Sequence, residues 1–304
     1  MTQPQVRHVP VLFDVVMDFL GVRPDGTYAD CTLGLGGHAE GIVRRLGPQG
    51  RLIGLDRDAE ALELARSRLE RVREELGSQA PRVEFFGEAF SRIAEHVGPG
   101  SLDGMLADFG VSSLQIDEPR RGFSFQADGD LDMRMDTRSG PTAYQVVNEM
   151  NERELANLIY EYGEERRSRT VARAIVRGRP VTSTRQLARI VASAVPPMKF
   201  APVQPEIPRA FQALRIYVNR ELDEIRALLE AAPKLLKPTG RLVVICFHSL
   251  EDRIAKDSFR EGARRGIWRI LTRKPVTAGE EEIHRNPRSR SAKLRAAERT
   301  ATSF

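Results

Sequence analysis

Apolar and polar positions follow two alternating periods over the first third of the chain. "TYADCTL" is a short β-rich run. In "HAEGIVRRLG", Ala39, Ile42, Val43 and Leu46 share one helical face, and Gly47 stands where a helix C-cap belongs. "GRLIGLDRD" predicts the next strand, ending in acids. Leu62, Ala65, Leu69, Val72 and Leu76 then recur at three- and four-residue steps, a helix stopped by Gly77. "RVEFFGEAF" and "LDGMLADFGVS" predict two more strands. Strand and helix in strict turn predict a parallel α/β sheet with right-handed crossovers.

The period changes after residue 112. Residues 113–140 read as loop, and residues 142–196 read as helix throughout, with Asn151/Glu154 and Ser183/Gln186 spaced as capping boxes. The α/β pattern resumes with a helix carrying Phe211, Leu214, Val218, Leu222, Ile225 and Leu228. A turn, "KPTG", leads into the strand "RLVVICF". The expectation is one discontinuous α/β domain, residues 1–115 and 205–304. Residues 116–204 form a lid loop and an all-helical insertion. The last basic stretch, "RNPRSRSAKLRAAER", either lies across the surface or adds a strand.

Composition narrows the class. The chain has 304 residues, 41% hydrophobic and 29% charged, as a soluble globular protein does. Val9 to Leu20 is interrupted by Asp14 and Asp18, so it predicts neither a leader nor a membrane span. Two cysteines, Cys31 and Cys246, give no disulfide framework and fit a reducing, cytoplasmic setting. The net charge of +5 is small, so the placement of arginines matters more than their number.

The chemistry starts at "DCTLGLGGHAEG". Gly34, Gly36 and Gly37 stand between a strand and a helix, where missing Cβ atoms let a ligand approach backbone amides. Asp56 ends the next strand 20 residues after Gly36, the place of a carboxylate that accepts from ribose hydroxyls. Gly34 to Ala39 satisfies G-x-G-x-x-A, so a nicotinamide dinucleotide stays open. S-adenosylmethionine is the rival. It carries a sulfonium and an amino-acid tail, and so calls for carboxylates near the turn. Asp30 precedes the glycines and Asp108 ends the "MLAD" strand, which favours S-adenosylmethionine.

At this point the chain resembles a family. The carrying motifs are "HVPVL" at 8–12, "LGLGGH" at 33–38, "GLDRD" at 54–58, "ADFGVSSLQID" at 107–117, "RGFSF" at 121–125 and "DLDMRMD" at 130–136. "YGEER" at 162–166, "FQALRIYVNREL" at 211–222, "CFHSLEDR" at 246–253 and "NPRSRSAKLRAAER" at 286–299 continue the match. These resemble the MraW/RsmH family, bacterial 16S ribosomal RNA cytosine-N4 methyltransferases. The resemblance implies a class I S-adenosylmethionine-dependent methyltransferase fold, Rossmann-like and mostly parallel, with an all-helical insertion expected to recognise RNA. It implies a methyl group passed to the exocyclic amine of a cytidine in the decoding centre of the small ribosomal subunit. Cofactor contacts carried over fall on Gly36, Gly37, His38, Asp56, Phe90, Asp108 and Gln115. Two departures stand out. Cys31 replaces a usual glycine, and "EIPRAFQALRI" at 206–216 lacks the usual small and hydroxyl residues before Phe211.

Such a transfer needs the amine held in line with the methyl–sulfur bond and an acceptor for its proton. Asp108-Phe109-Gly110-Val111 keeps the acid after the fourth strand but has no prolines, and His248 follows the "VVIC" strand. Asp108 and His248 are therefore the candidate catalytic residues. "DLDMRMD" has carboxylates without histidine or cysteine nearby, which predicts a structured loop rather than a metal site, with Arg134 free to reach a phosphate or an acid. Six arginines lie between Arg166 and Arg179, and six basic residues with one acid between Arg285 and Arg299; both runs suit RNA phosphates. Phe123 and Phe125 are candidates for stacking on a flipped base or for plain packing.

Overall fold

The computed structural model describes residues 10–196 and 204–301. His8 and Val9 of "HVPVL" lie outside the described residues. The chain opens with α1 (Phe13–Leu20), β1 (Thr27–Asp30), α2 (Gly37–Val43), β2 (Arg51–Leu55), α3 (Ala59–Leu76), β3 (Arg82–Phe86) and β4 (Leu102–Asp108). Helices follow: α4 (Ser113–Asp117), α5 (Ala143–Glu149), α6 (Glu152–Gly163), α7 (Ser168–Arg177), α8 (Thr184–Ala194), α9 (Glu206–Asn219) and α10 (Glu221–Leu235). The chain ends with β5 (Leu236–Cys246), α11 (Ser249–Arg264), β6 (Trp268–Ile270), α12 (Glu280–Arg285) and β7 (Lys293–Arg299).

Two compact units result, residues 1–110 with 223–304, and residues 111–222. In the first, seven strands run in the order β3-β2-β1-β4-β5-β7-β6. The first five pair in parallel, while β7 is antiparallel to both β5 and β6. This is the mostly parallel, doubly wound α/β architecture that the alternating periods predict. The basic C-terminal stretch does add a strand, inserted between β5 and β6. Strands β1, β2, β4 and β7 are buried almost throughout, as a sheet covered on both faces requires. "KPTG" is a bulge inside β5 rather than a turn before it. β4 advances from Leu102 to Gly104 while β5 advances from Leu236 to Arg241, and Thr239 takes a φ of 68°. Among the described residues no helix is long and apolar enough to cross a membrane.

The second unit is helical around its own core of Val147, Leu155, Ile159, Val171, Ile175, Leu187 and Leu214. The capping boxes are read correctly in part: Asn151 and Ser183 accept from the amides of Glu154 and Gln186, and a further box joins Thr142 and Gln145. The helix expected to restart the α/β pattern is in fact two. Arg220 takes a φ of 52° and ends α9, so the stripe from Phe211 to Leu228 is cut. Asn219 explains the stop. Its side chain accepts from Met135 N at 2.7 Å and donates to Met133 O at 2.7 Å, which fixes the "DLDMRMD" loop to the helix end. α9 therefore belongs to the helical unit, whose far boundary falls at 222 rather than 204.

That loop is structured, with Leu131, Met133 and Met135 buried. Arg134 reaches its neighbour Asp132 through two bonds of 2.7 and 2.9 Å, so its acid lies within the same loop. Phe125 packs edge-on to Phe211 at 5.3 Å, and Phe123 lies against the same helical core. Both phenylalanines pack on this core and remain partly exposed.

Candidate functional site

The carboxyl ends of β1, β2, β4 and β5 converge in the first unit, where open α/β sheets take their ligands. The turn after β1 is sewn to its neighbours by backbone bonds. Cys31 N donates to Leu106 O and Leu33 N to Leu55 O, each at 2.8 Å. Cys31 is buried at this seam, and its small side chain leaves the turn intact despite the missing glycine. Gly36 caps α2 with a φ of 75°, and a Cβ there would stand 3.3 Å from Ala65 Cβ. Glycine at that position satisfies both the left-handed backbone and the close approach of α3.

Three carboxyls face this end of the sheet. Asp30 is almost fully buried and accepts from Thr32 N at 3.2 Å. The Thr32 hydroxyl in turn accepts from Asp108 N at 2.6 Å. Asp56 accepts from Gly34 N at 2.7 Å and from Asp58 N at 2.8 Å, so it braces the glycine turn directly. Asp108 is half-buried, and its Oδ1 has no hydrogen-bond partner among the described residues. Burial pushes the Asp30 carboxyl up to about 7, with Asp56 adding repulsion, and pushes Asp56 up to about 6. Burial, then Asp30 and Glu251, raise Asp108 well above the usual carboxylate range. No lysine or arginine among the described residues pairs with Asp30 or Asp108.

His38 is buried in the first turn of α2. Its Nε2 donates to Val11 O at 2.9 Å, and its Nδ1 lies 3.8 Å from Asp108 Oδ2. Burial lowers the imidazole to about 4, so it is neutral at pH 7 and turns a lone pair toward the acid. Phe90 follows β3, half-buried and tilted on Phe109 at 5.8 Å. Gln115 belongs to the other unit, where it closes a capping box with Ser112 at the start of α4.

His248 follows β5 directly. Its Nε2 sits 3.1 Å from Glu251 Oε1. Glu251, fully buried, accepts from Phe247 N at 2.7 Å and His248 N at 3.2 Å, which starts α11. Thr32 is a site residue that the motifs do not mark, whereas Glu251 is expected only to open the helix after His248, as it does. The signal for Thr32 was a hydroxyl wedged between an acid and the glycines. The signal for Glu251 was its place at N3 of a helix that opens on a candidate histidine.

Chemically, the cleft is a cluster of mutually repelling carboxyls beside a glycine turn. A pyrophosphate would gain nothing from Asp30 and Asp108, whereas a cationic adenosine ligand would hold them ionised and relieve their repulsion. The orphaned Asp108 Oδ1 fits such a ligand, and at Gly34 a Cβ would meet only Thr32 O at 3.9 Å, so the turn is open there.

The comparisons agree with this chemistry. The family model for the MraW methylase family matches residues 5–300. The proteins named Ribosomal RNA small subunit methyltransferase H include that of Acidobacterium capsulatum, 65% identical over 96% of this chain and 98% of that one. The protein of that name from Koribacter versatilis is 56% identical over 97% of this chain and 95% of its own. The one from Sorangium cellulosum is 50% identical over 96% and 91%. The glycine turn, the acids at the strand ends and a match over nearly the whole length lead to one conclusion: the chain belongs to the MraW methylase family.

Proposed function

We propose that this protein transfers a methyl group from S-adenosylmethionine to the exocyclic N4 amine of a cytidine in the decoding centre of 16S ribosomal RNA. The observation that carries the donor is the carboxyl cluster of Asp30, Asp56 and Asp108 around the glycine turn, left without a basic partner at Asp30 and Asp108. The names of the relatives support ribosomal RNA as acceptor. The N4 amine and the decoding centre rest on the motif resemblance.

When bound, S-adenosylmethionine supplies an electrophilic methyl on a cationic sulfur. Asp56 would hold the ribose hydroxyls, Gly36, Gly37 and His38 the chain of the donor, and Phe90 the adenine; Gln115 is kept as a cofactor contact on the motif resemblance alone. Asp30 and Asp108 set the negative field that favours a cation. Asp108 Oδ1 is free to accept the cytidine N–H and to orient the amine, whose lone pair is otherwise delocalised into the ring. His248 is the second candidate for the departing proton, steadied by Glu251. Neutral His38 anchors the turn to Val11 and keeps a positive charge away from the donor.

The test is incubation with methyl-labelled S-adenosylmethionine and small ribosomal subunits from cells lacking this modification, followed by digestion of the RNA to nucleosides. Label in N4-methylcytidine is the expected result. Label in another nucleoside, or none although the donor binds, overturns the acceptor.

A further inference from the structure

α7 buries Ser168, Val171, Ala172 and Ile175 against the helical unit. At the helical repeat of about 100° per residue, Arg169, Arg173 and Arg177 fall on the opposite side, in a row with steps of about 6 Å. All three are exposed, as are Arg166 and Arg167 just before the helix. Among the described residues Arg166, Arg169 and Arg177 make no ion pair. Arg173 has Glu152 at 3.4 Å and Arg167 has Glu206 at 3.6 Å. Both pairs leave their arginine more than half exposed and hold it weakly.

Several arginines elsewhere are engaged within the fold. Arg179 donates to Val147 O at 2.7 Å. Asp128 accepts from the backbone amide of Arg185 at 3.2 Å, which ties the loop to the start of α8. Arg295 and Lys293 in β7 reach Asp252 at 2.6 and 3.7 Å. On α3, arginines alternate with glutamates. In the α7 row only Arg173 has a carboxylate within 4 Å, and Arg169 and Arg177 make no ion pair among the described residues, so the row is a line of largely unneutralised guanidinium groups.

We infer that this row, Arg169, Arg173 and Arg177 with Arg166 ahead of it, is the contact surface for the phosphate backbone of the RNA substrate. The inference rests on the RNA reading above and adds the face that meets it. A row fits a polymer of regularly spaced anions better than a single phosphate, for which converging donors are needed. Guanidinium groups pair with phosphate oxygens through two parallel bonds. Contacts of this kind set the register of the RNA and leave base choice to the cleft. A lipid surface is the poorer occupant, because the apolar side of α7 is turned inward and offers nothing to insert.

The test compares the full chain with the triple variant Arg169→Gln, Arg173→Gln, Arg177→Gln, and with a control, Arg66→Gln, Arg71→Gln on α3. Binding to a full-length small-subunit ribosomal RNA transcript is measured over a series of KCl concentrations. Unchanged thermal melting and donor binding show that each variant is folded. For the triple variant, affinity falls about tenfold or more, and the slope of log affinity against log salt drops by roughly 0.7 to 0.9 for each lost phosphate contact. The control keeps the parent slope. A triple variant with the parent affinity and slope, in a protein that still methylates RNA, overturns the inference and leaves the proposed function standing. A parent protein that neither binds nor methylates RNA brings down both. Loss of binding to anionic vesicles, with RNA binding unchanged, reassigns the row to a membrane and also overturns it.

Discussion

The two arginine-rich stretches of this chain look alike in composition and end in opposite environments. In α7 the arginines recur every four residues, opposite a buried face, and stay in water. In β7 Lys293 and Arg295 are two residues apart, share one side of a strand, and converge on Asp252 of α11. Arg295 is 7% exposed, and Glu298 in the same strand takes Arg241 and Arg269. A basic run is therefore no surface by itself. Its period decides which element carries it, and the acids placed elsewhere in the chain decide whether its charge is spent. The same distinction applies to the cleft with the sign reversed, since Asp30 and Asp108 have no lysine or arginine partner there.

The largest contrast is in stability. Arg295→Ala leaves Asp252 nearly buried with only a distant lysine, and the expected loss is about 3 kcal/mol in a urea or guanidinium unfolding curve. A loss no larger than that of a surface substitution would mean that the β7 charges are as idle as those on α7.

Next in size is the cleft. Asp108→Asn keeps the shape but removes the carboxylate that the unpartnered Oδ1 offers, and turnover is expected to fall by about 100-fold with melting unchanged. Unchanged turnover would remove Asp108 from the chemistry. Donor affinity is also expected to rise with pH through about 6 to about 7, the values of Asp56 and Asp30. Below that window Asp30 offers a sulfonium no charge, and protonated Asp56 is a poorer acceptor for the ribose hydroxyls. Calorimetric titration of S-adenosylhomocysteine, which lacks the sulfonium charge, should show a flatter profile than the donor itself.

A smaller effect isolates Asp30. Its folded value is raised from 3.8 to about 7, so the stability it contributes is complete below pH 4 and is lost as pH rises to about 7. His38 works against it in the same interval. Its value is lowered from 6.5 to about 4, so its contribution is present above pH 6.5 and lost toward pH 4. The difference between the parent and Asp30→Asn cancels the histidine. The variant should gain on the parent by about 1 kcal/mol or more between pH 5 and pH 8. A constant difference across that range would show that Asp30 does not titrate there.

Much of this was legible in the sequence. Strands β1, β2 and β4 and helix α3 follow from local periodicity, and the turn with Asp56 from spacing; α2 follows too, but ends at Val43 with Arg44 as its cap rather than at Gly47. Features that depend on distant partners were not. Nothing near Arg220 marks a helix break, because the apolar stripe runs on past it, and the stop depends on the bonds of Asn219 to Met133 and Met135. The place of β7 between β5 and β6 depends on pairing that no local pattern encodes. Thr32 looks ordinary in the chain and acquires a role only when β4 brings Asp108 beside it; Glu251 is legible as a helix opener, but not as the buried neighbour of the His248 imidazole.

The smallest expected effect completes the contrast. Arg169→Ala should change unfolding free energy by less than about 0.5 kcal/mol, because the side chain is exposed, unpaired among the described residues and on the outer face of α7. Alanine even favours the helix slightly. A null result here is informative only beside a loss of RNA affinity in the same protein. A residue that contributes nothing to folding yet matters to binding is kept for an external partner. If Arg169→Ala instead unfolds the protein as Arg295→Ala is expected to, the α7 row is structural, and the difference between the two stretches would be one of exposure alone.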